Sequence, residues 1–381
     1  MKLTIPAPEL TAALTFAAGL CPARPITPIT AAVLLSATDA DQLQIRSTDL
    51  ERFADLTTAA DVATPGQAAV SGRLLAEVAK HCRGEVTLTL DNAVTVSTER
   101  GWWTLPTLPA EDIPPMPELG HRLGRIRGAA LAAALARVAP VAGADRDLPV
   151  LGAVHVHADT QRVRLEATDR YQAAWCDTHW AADLTDPVDL YLPADAAPHL
   201  QAVASAADTA EVTLTATDGT FALTGARHTF RCRLAAEPIP DLTTFDRPAD
   251  TYTTEIRLPA KDLRDAVGAV RLVLDQFAPA KLTITPDVLS VDTAHVHDQA
   301  AAHHLPVLAH RGAPELAIGL NPARLLHAVT LCGTDQVTIA ATTAGTQVLI
   351  RGVADGAPVT DYRHIVMPQR LPDQPTPAVQ R

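Results

Sequence analysis

Two pairs of histidines stand at the spacing that places alternate side chains on one face of a β-strand. His155 and His157 form one pair, and His295 and His297 form the other, with Asp298 directly after it. Imidazole and carboxylate groups are ligands of zinc in hydrolytic enzymes. Because the chain contains 14 histidines, such pairs also arise by chance. The spacing therefore leaves a metal-dependent hydrolase as an alternative to surface imidazoles.

Other catalytic signatures are missing from the sequence. It has no further ligand set, nucleophile elbow, Gly-rich phosphate loop or Walker motif. The cysteines are an odd number, lie far apart and form no CxxC pair: Cys21, Cys82, Cys176, Cys232 and Cys332. We expect reduced thiols in the core, because neither a disulfide framework nor a zinc knuckle fits that spacing. These absences favour surface imidazoles, so we expect a protein that is not an enzyme and has no metal or cofactor, with the metal-dependent hydrolase as the less favoured alternative.

Length and composition limit the class of protein. The chain has 381 residues, of which 47% are hydrophobic and 19% are charged, and its net charge is −12. Single cores seldom grow past roughly 250 residues, so the length predicts two or three domains. The sequence has no run of eighteen apolar residues and no apolar signal-peptide region. We therefore expect a cytoplasmic protein without membrane association.

A strand-like sequence motif occurs three times along the chain. EVTLTL occupies residues 85–90, EVTLTA occupies 211–216, and the looser QVTIAA occupies 336–341. Ile113-Pro114 likewise recurs as Ile239-Pro240. The period is about a third of the chain, which predicts three repeated units.

Each third has the same order of elements. Apolar residues recur at three- or four-residue steps in six helix-like segments, two in each third: 8–20, 71–82, 128–139, 193–206, 259–274 and 321–332. Alternating segments between them, such as 162–169 and 281–293, predict half-buried strands. The pattern indicates an α+β chain of three domains, with two helices packed on antiparallel sheets in each. We place the domains at 1–121, 122–249 and 250–371, followed by a disordered tail at 372–381.

The charge is distributed unevenly. Slightly wider windows around the predicted helices carry nine Lys or Arg and five acidic residues, although the whole chain is acidic: 7–20, 71–83, 127–140, 193–206, 259–274 and 321–332. Such helices could offer one positive surface to a polyanion while the remainder repels it. A general preference of helix surfaces for Arg and Lys explains the same counts.

Seven segments in order resemble one family along essentially the whole chain: ARPITPI (23–29), SGRLLAEVAK (71–80), TLPAEDIPPMP (107–117), LPVLGAV (148–154), ATDRYQAA (167–174), EPIPDL (237–242) and DYRHIVMPQRL (361–371). The family is the bacterial sliding clamp, the β subunit of DNA polymerase III. The resemblance implies a head-to-tail homodimer whose six domains close a ring around double-stranded DNA, without reading its sequence. It also implies that the DNA polymerase III α subunit, a clamp loader and other proteins with a clamp-binding motif are partners.

The resemblance assigns roles to individual residues. Cations at matching positions would face DNA: Arg24, Arg73, Lys80, Arg137 and Arg146. Apolar residues at matching positions would form the dimer interface: Trp103, Leu105, Leu272 and Leu274. A hydrophobic cleft for a short peptide, typically a Gln followed by Leu or Phe, would be formed by Leu151, Thr168, Arg170, Tyr171, Gln172, Ala173, Pro248, Ile365, Met367 and Pro368.

The chain departs from the family at that cleft. The family usually has Arg then Leu at the positions of Gln172 and Ala173, and it usually ends at the position of Leu371. We expect that restoring Arg and Leu would tighten peptide binding. These differences fit a divergent second clamp, one that tolerates an inhibitor aimed at the usual cleft, and they also fit an ordinary replicative clamp carrying neutral changes.

Overall fold

The structure is a computed structural model that describes residues 1–38, 41–145, 147–293 and 300–371. The chain divides into two compact units. The first comprises Met1–Leu135, His157–Val163 and His179–Ala236, and the second comprises Ala136–Val156, Arg164–Thr178 and the residues from Glu237 onward. The three domains expected from the sequence stay a prediction.

Helices and strands follow the same order in each third of the chain. The first third has β1 (Lys2–Pro6), α1 (Ala7–Ala18), β2 (Ala32–Thr38), β3 (Gln42–Thr48), β4 (Arg52–Ala59), β5 (Asp61–Thr64), β6 (Gly66–Ser71), α2 (Gly72–His81), β7 (Glu85–Leu90), β8 (Val94–Thr98), β9 (Gly101–Leu105) and β10 (Thr107–Leu108). The second has β11 (His121–Arg127), α3 (Gly128–Val138), β12 (Ala153–Ala158), β13 (Arg162–Thr168), β14 (Gln172–His179), β15 (Ala181–Ala182), β16 (Val188–Pro193), α4 (Ala197–Ala207), β17 (Glu211–Thr217), β18 (Thr220–Thr224) and β19 (His228–Arg233). The third has β20 (Thr254–Pro259), α5 (Ala260–Arg271), β21 (Ala280–Ile284), β22 (Val288–Asp292), β23 (Ala302–Pro306), β24 (Ala309–Arg311), β25 (Leu316–Leu320), α6 (Pro322–Cys332), β26 (Gln336–Ala341), β27 (Val348–Ala354), β28 (Ala357–Pro358) and β29 (Tyr362–Val366).

The three repeated strands, β7, β17 and β26, occupy equivalent positions. Each pairs antiparallel with the strand that leads into the first helix of its repeat, namely β1, β11 and β20. The first helical N–H of each repeat donates to the carbonyl oxygen just before the repeated strand, at 2.8 to 2.9 Å: Ala7 to Gly84, Gly128 to Ala210 and Ala260 to Asp335. One register therefore fixes the start of α1, α3 and α5, and the predicted repeat is confirmed.

All six predicted helices are present, and their ends follow local chemistry. The Asn321 side chain caps α6 by accepting hydrogen bonds from the N–H groups of Ala323 and Arg324. Ser71 caps α2 by accepting from the Leu74 N–H. Pro6 and Pro259 precede α1 and α5, where a residue without an N–H leaves no helical donor unpaired.

Antiparallel sheets carry these helices in both units. In the first unit one sheet has the order β5-β1-β7-β8-β9, and the other has the order β10-β6-β2-β3-β4-β19-β18-β17-β11-β15. In the second unit the larger sheet has the order β12-β13-β14-β29-β27-β26-β20-β24, and the smaller has the order β23-β22-β21-β25. The α+β class and the mixture of helices with antiparallel sheets are confirmed.

The five cysteines are free and buried, as predicted. Burial raises the pKa of Cys21 and Cys176 to about 11 and that of Cys232 and Cys332 to about 12, so these thiols stay protonated near neutral pH. Among the described residues, no helix is long and apolar enough to cross a membrane.

Candidate functional site

An apolar cavity of about 290 Å³ lies in the second unit. Three adjacent strands contribute to it, since Thr168 belongs to β13, Ala173 to β14 and Ile365 to β29. Ala173 and Ile365 lie directly opposite each other in the β14–β29 pair. The full lining is Thr168, Arg170, Gln172, Ala173, Pro240, Asp241, Leu242, Phe245, Ile365 and Met367. Six of the ten residues predicted for the peptide cleft are thus brought together.

The other wall of the cavity comes from a segment without regular secondary structure, residues 240–245. Leu242 is buried, whereas Phe245 is 36% exposed at the edge of the cavity. The Phe245 N–H donates to the Leu242 carbonyl oxygen at 2.9 Å, which closes a turn. Sequence reasoning used part of this segment as a family motif but missed Pro240, Asp241, Leu242 and Phe245 as lining residues.

Four predicted cleft residues do not line the cavity. Leu151 is 3% exposed and belongs to the core, and Pro248 and Pro368 lie outside the lining. Tyr171 is 48% exposed, and the Arg324 guanidinium lies 4.3 Å from the centre of its ring. Tyr171 therefore makes a cation–π contact beside the cavity.

Gln172 is buried at the base of the cavity and holds a polar network together. Its Nε2 donates to Asp169 Oδ2 at 3.1 Å, and its Oε1 lies 3.2 Å from His364 Nε2. Asp169 Oδ2 also pairs with Arg324 Nε at 3.2 Å. The Gln172 amide is therefore already bonded inside the protein. The expectation that Arg at this position, together with Leu at position 173, tightens peptide binding stays a prediction.

His364 is the most buried member of this network. Burial lowers the pKa of His364 to about 3, so the imidazole is neutral. The amide oxygen of Gln172 can only accept, so His364 Nε2–H donates to it, and Nδ1 is left to accept from the Tyr362 hydroxyl at 2.9 Å. His327 also lies 3.4 Å from Gln172 Oε1, and burial lowers its pKa as well.

A polar groove of about 610 Å³ adjoins the cavity, and Gln172 lines both. The end of α5 and the segment after it supply Arg271, Leu274 and Phe277. The start of α6 supplies Asn321 and Arg324. Leu274, predicted as an interface residue, therefore borders this groove.

The predicted DNA-facing cations differ in their surroundings. Arg24 and Arg73 are exposed, and Lys80 is exposed but pairs with Glu77 at 2.6 Å. Arg137 is half-buried, pairs with Asp361 at 3.7 Å and lies 5.5 Å from the centre of the Tyr362 ring. It is therefore less available to a phosphate than predicted. Arg146 lies outside the described residues.

A shallow depression of about 540 Å³ lies between the start of α1 and the end of α2. Lys80 and Arg83 both line it, and Arg83 was not among the predicted DNA-facing residues. The Arg83 guanidinium donates to the carbonyl oxygens of Lys80 and Cys82 at 2.9 and 2.7 Å. Its place as the last residue of the 71–83 window was the signal in the sequence.

Two apolar surfaces contain the predicted interface residues. In the first unit, Trp102 on the edge strand β9 is 69% exposed, Trp103 is partly buried, and Leu105 is 3% exposed in the core. In the second unit, Leu272 is 85% exposed and Phe277 is 75% exposed. Trp102 and Phe277 were missed, whereas Leu105 has no exposed surface in this chain that could form an interface.

The histidine pair at residues 155 and 157 is engaged with carboxylates. His155 Nδ1 contacts Glu166 Oε1, and His157 Nδ1 lies 2.8 Å from Asp189 Oδ1. Each imidazole thus already has an acidic partner. His295, His297 and Asp298 lie outside the described residues.

Comparisons with known proteins match this architecture. Two family models match in succession, "DNA polymerase III beta subunit, N-terminal domain" over residues 1–117 and "DNA polymerase III beta subunit, central domain" over residues 125–241. The "Beta sliding clamp" of Streptomyces coelicolor is 28% identical, covering 97% of this chain and 100% of the relative. The "Beta sliding clamp homolog GriR" of Streptomyces muensis is 26% identical over 91% of this chain and 93% of its own length.

A solved structure has the same fold. The DnaN sliding clamp from Pseudomonas aeruginosa, determined bound to griselimycin, superposes with a TM-score of 0.87 at 24% identity. The match covers 97% of this chain and 100% of that one.

Proposed function

The chain belongs to the DNA polymerase III beta subunit family, and from this premise we propose that it is a sliding clamp. It encircles duplex DNA as a ring and tethers DNA polymerase and other replication or repair proteins through the cavity at Ala173 and Ile365. The observation that carries the proposal is this apolar cavity, formed by residues at the positions that the family resemblance gives to its peptide cleft.

The chemistry of the cavity suits a short peptide with apolar anchors. Burying a Leu or Phe side chain completely contributes about 1.5 to 3 kcal/mol, so two or three anchors provide a useful affinity. The flexible thioether of Met367 adapts to anchors of different shape. One cavity can therefore receive the DNA polymerase III α subunit, the clamp loader and other motif-bearing partners in turn.

Exposed edges and apolar side chains support a head-to-tail homodimer. β9 is an edge strand of the first unit and β23 is an edge strand of the second, and unpaired strand edges favour pairing with another chain. Trp102 is exposed on β9, and Leu272 and Phe277 are exposed in the second unit. In a head-to-tail dimer, the first-unit surface of each copy would meet the second-unit surface of the other copy. The two junctions formed in this way would close the ring.

A modest set of cations supports binding to DNA without sequence selection. Arg24, Arg73 and Arg83 carry positive charge on the first unit, whereas α1 and α4 contain no Lys or Arg. Contacts between cations and phosphates carry no sequence information, which permits sliding. A ring that only tethers its partners needs no catalytic residue or metal, and a separate ATP-driven loader opens it. We propose that it acts in the cytoplasm.

A second candidate role is that of a divergent accessory clamp that tolerates an inhibitor aimed at the usual cleft. Ala173 lies in the cavity where the family usually has a leucine, so a ligand shaped for that wall loses contacts. One of the similar proteins, from Streptomyces muensis, is likewise named a homolog of the sliding clamp. An ordinary replicative clamp with the same substitution remains the first candidate.

Calorimetry with the peptide QLDLF tests the proposal. Met367→Ala removes a wall of the cavity, and we expect the Kd to rise about tenfold, because roughly 1.4 kcal/mol of apolar contact is lost. Ala173→Leu restores the family's wall, and we expect it to tighten binding by a similar factor. Lys261→Ala, an exposed cation at the far end of α5 from the groove, serves as the control.

The outcomes separate the candidates. If the wild-type protein showed no measurable binding, the proposal that this cavity binds partner peptides would be contradicted. Equal affinity of the wild type and Ala173→Leu would favour the ordinary replicative clamp over the inhibitor-tolerant one.

A further inference from the structure

Four charged side chains form a closed ion-pair quartet in the second unit: Arg164, Asp177, Asp246 and Arg363. Arg164 pairs with Asp177 at 2.7 Å and with Asp246 at 2.8 Å. Arg363 pairs with Asp177 at 3.3 Å and with Asp246 at 3.0 Å. Cations and carboxylates thus alternate, and each charge has two opposite neighbours. All four side chains are about 20% exposed, so solvent screens them only partly.

The quartet and the cavity share the same strands. Successive side chains of a strand alternate between faces, so residues two or four apart lie on one face. On β14, Ala173 of the cavity and Asp177 of the quartet are four apart. On β13, Arg164 and Thr168 are four apart, and on β29 Arg363 and Ile365 are two apart. One face of three adjacent strands therefore carries the floor of the cavity and, further along, three members of the quartet.

The fourth member belongs to the wall. Asp246 directly follows Phe245, which lines the cavity within the irregular segment. A segment without helix or strand hydrogen bonds opens more easily than the sheet beneath it. Its other attachments are the buried side chain of Leu242 and a hydrogen bond of 2.7 Å from Gln347 Nε2 to the Phe245 carbonyl oxygen. Among the residues that the structure describes, the ion pairs of Asp246 with Arg164 and Arg363 are the ionic attachments of this segment.

We propose that the quartet positions the Phe245 wall over the strands, and that Asp246 is a positioning residue for partner-peptide binding. This inference rests on the proposed function of the cavity. Asp246 does not line the cavity, so it acts through Phe245. Removing its charge leaves Arg164 and Arg363 sharing the single carboxylate of Asp177, an arrangement with excess positive charge in a half-buried place. The distance between the Phe245 side chain and the cavity residues of β13, β14 and β29 is then no longer fixed.

A double-mutant cycle tests the inference through the Kd of the peptide QLDLF. We expect Asp246→Asn to raise the Kd about tenfold, because the Phe245 wall is then no longer held in place and neighbouring residues are energetically coupled. In a Phe245→Ala background, where the wall has lost its side chain, we expect the same change to raise the Kd less than about twofold. A role in general stability alone would give equal factors in both backgrounds.

Two further variants separate positioning from stability. Asp246→Glu keeps the charge but lengthens the side chain, so we expect near wild-type thermal stability with weaker peptide binding. Glu255→Gln breaks the Arg351–Glu255 pair, which is also half-buried, has a distance of 2.9 Å and lies elsewhere in the second unit. For this control we expect lower thermal stability with an unchanged Kd.

The failures can be distinguished. If the wild-type protein does not bind the peptide, the proposed function of the cavity fails. Two results would overturn only the positioning role. In the first, Asp246→Asn and Asp246→Glu both bind the peptide as tightly as the wild type. In the second, Asp246→Asn raises the Kd by the same factor in the wild-type and the Phe245→Ala backgrounds.

Discussion

At the scale of single residues, the polar network under the cavity fixes the protonation of His364. The imidazole is fully buried between Tyr362 and Gln172, and only the neutral form supplies one donor and one acceptor to those partners. Gln172 in turn orients Asp169, which pairs with Arg324 beside Tyr171. The substitution at position 172 is thus part of the interior as well as of the cleft.

This network predicts a dependence of stability on pH. The pKa of His364 is lowered from 6.5 to about 3 by burial, so between these values the unfolded chain binds a proton that the folded chain does not. The contribution of His364 is therefore fully present above pH 6.5 and is lost as the pH falls, at about 1.4 kcal/mol per pH unit. Burial lowers the pKa of His199, His228 and His327 as well, and they act in the same direction.

Thermal unfolding of His364→Gln between pH 7 and pH 4.5 checks this prediction. We expect a shallower loss of stability on acidification than in the wild type, because one titrating group is gone while glutamine can still donate to Gln172. His303→Gln, which replaces an exposed histidine on β23, is the control and should keep the wild-type profile. Identical profiles for His364→Gln and the wild type would contradict the assignment.

The strand residues of the cavity could be predicted from the sequence, and its wall could not. Thr168 and Ala173 stand in the segment ATDRYQAA, and the resemblance to the family assigned them to the cleft. Phe245 lies in a segment without periodicity, and its place depends on an ion pair to residues far away in the chain. Such contacts are set by tertiary packing rather than by local spacing.

At the scale of elements, a single glycine at the start of α3 determines how closely α4 approaches it. Gly128 starts α3, and a Cβ atom there would lie 2.3 Å from the Ala204 carbonyl oxygen and 2.8 Å from the Ala207 side chain. Only glycine permits α4 to come this close. Gly268 on α5 has the opposite surroundings, since nothing lies within 4 Å of the Cβ position.

The two glycines give a matched pair of substitutions. We expect Gly128→Ala to lower the free energy of unfolding by about 1 to 3 kcal/mol, because the backbone of α4 must shift. We expect Gly268→Ala to raise it by about 0.5 to 1 kcal/mol, because alanine favours the helix and meets no neighbour. Thermal denaturation of both variants measures this. A loss of stability in Gly268→Ala, or none in Gly128→Ala, would contradict the packing described here.

Element types were predictable, while strand partners at long range were not. Helix caps such as Asn321 and apolar residues at helical spacing identify the six helices locally. The β4–β19 pair joins residues 52–56 to residues 228–232, and the β14–β29 pair joins residues 172–176 to 362–366. Nothing in either strand alone specifies its partner, because pairing across such separations is decided by the folded core.

At the scale of the whole molecule, membership of the family leads us to propose a ring, and the charge of the chain favours binding to DNA by enclosing it. The chain has a net charge of −12, so attraction to phosphates is local and modest. Leu272 is an exposed apolar residue at the surface that we propose for dimerisation. A charge there would have to be desolvated when two copies associate, so Leu272→Asp should weaken the dimer.

Retention on circular DNA tests the central claim most directly. The protein is incubated with nicked circular plasmid, a bacterial clamp loader and ATP, and the complex is separated by gel filtration before and after the plasmid is cut once. We predict that the protein stays with the circle, is released when the plasmid is linearised, and is retained poorly as Leu272→Asp. Equal retention on circular and linear DNA, or tight sequence-selective binding to a short linear duplex at physiological salt, would contradict the account.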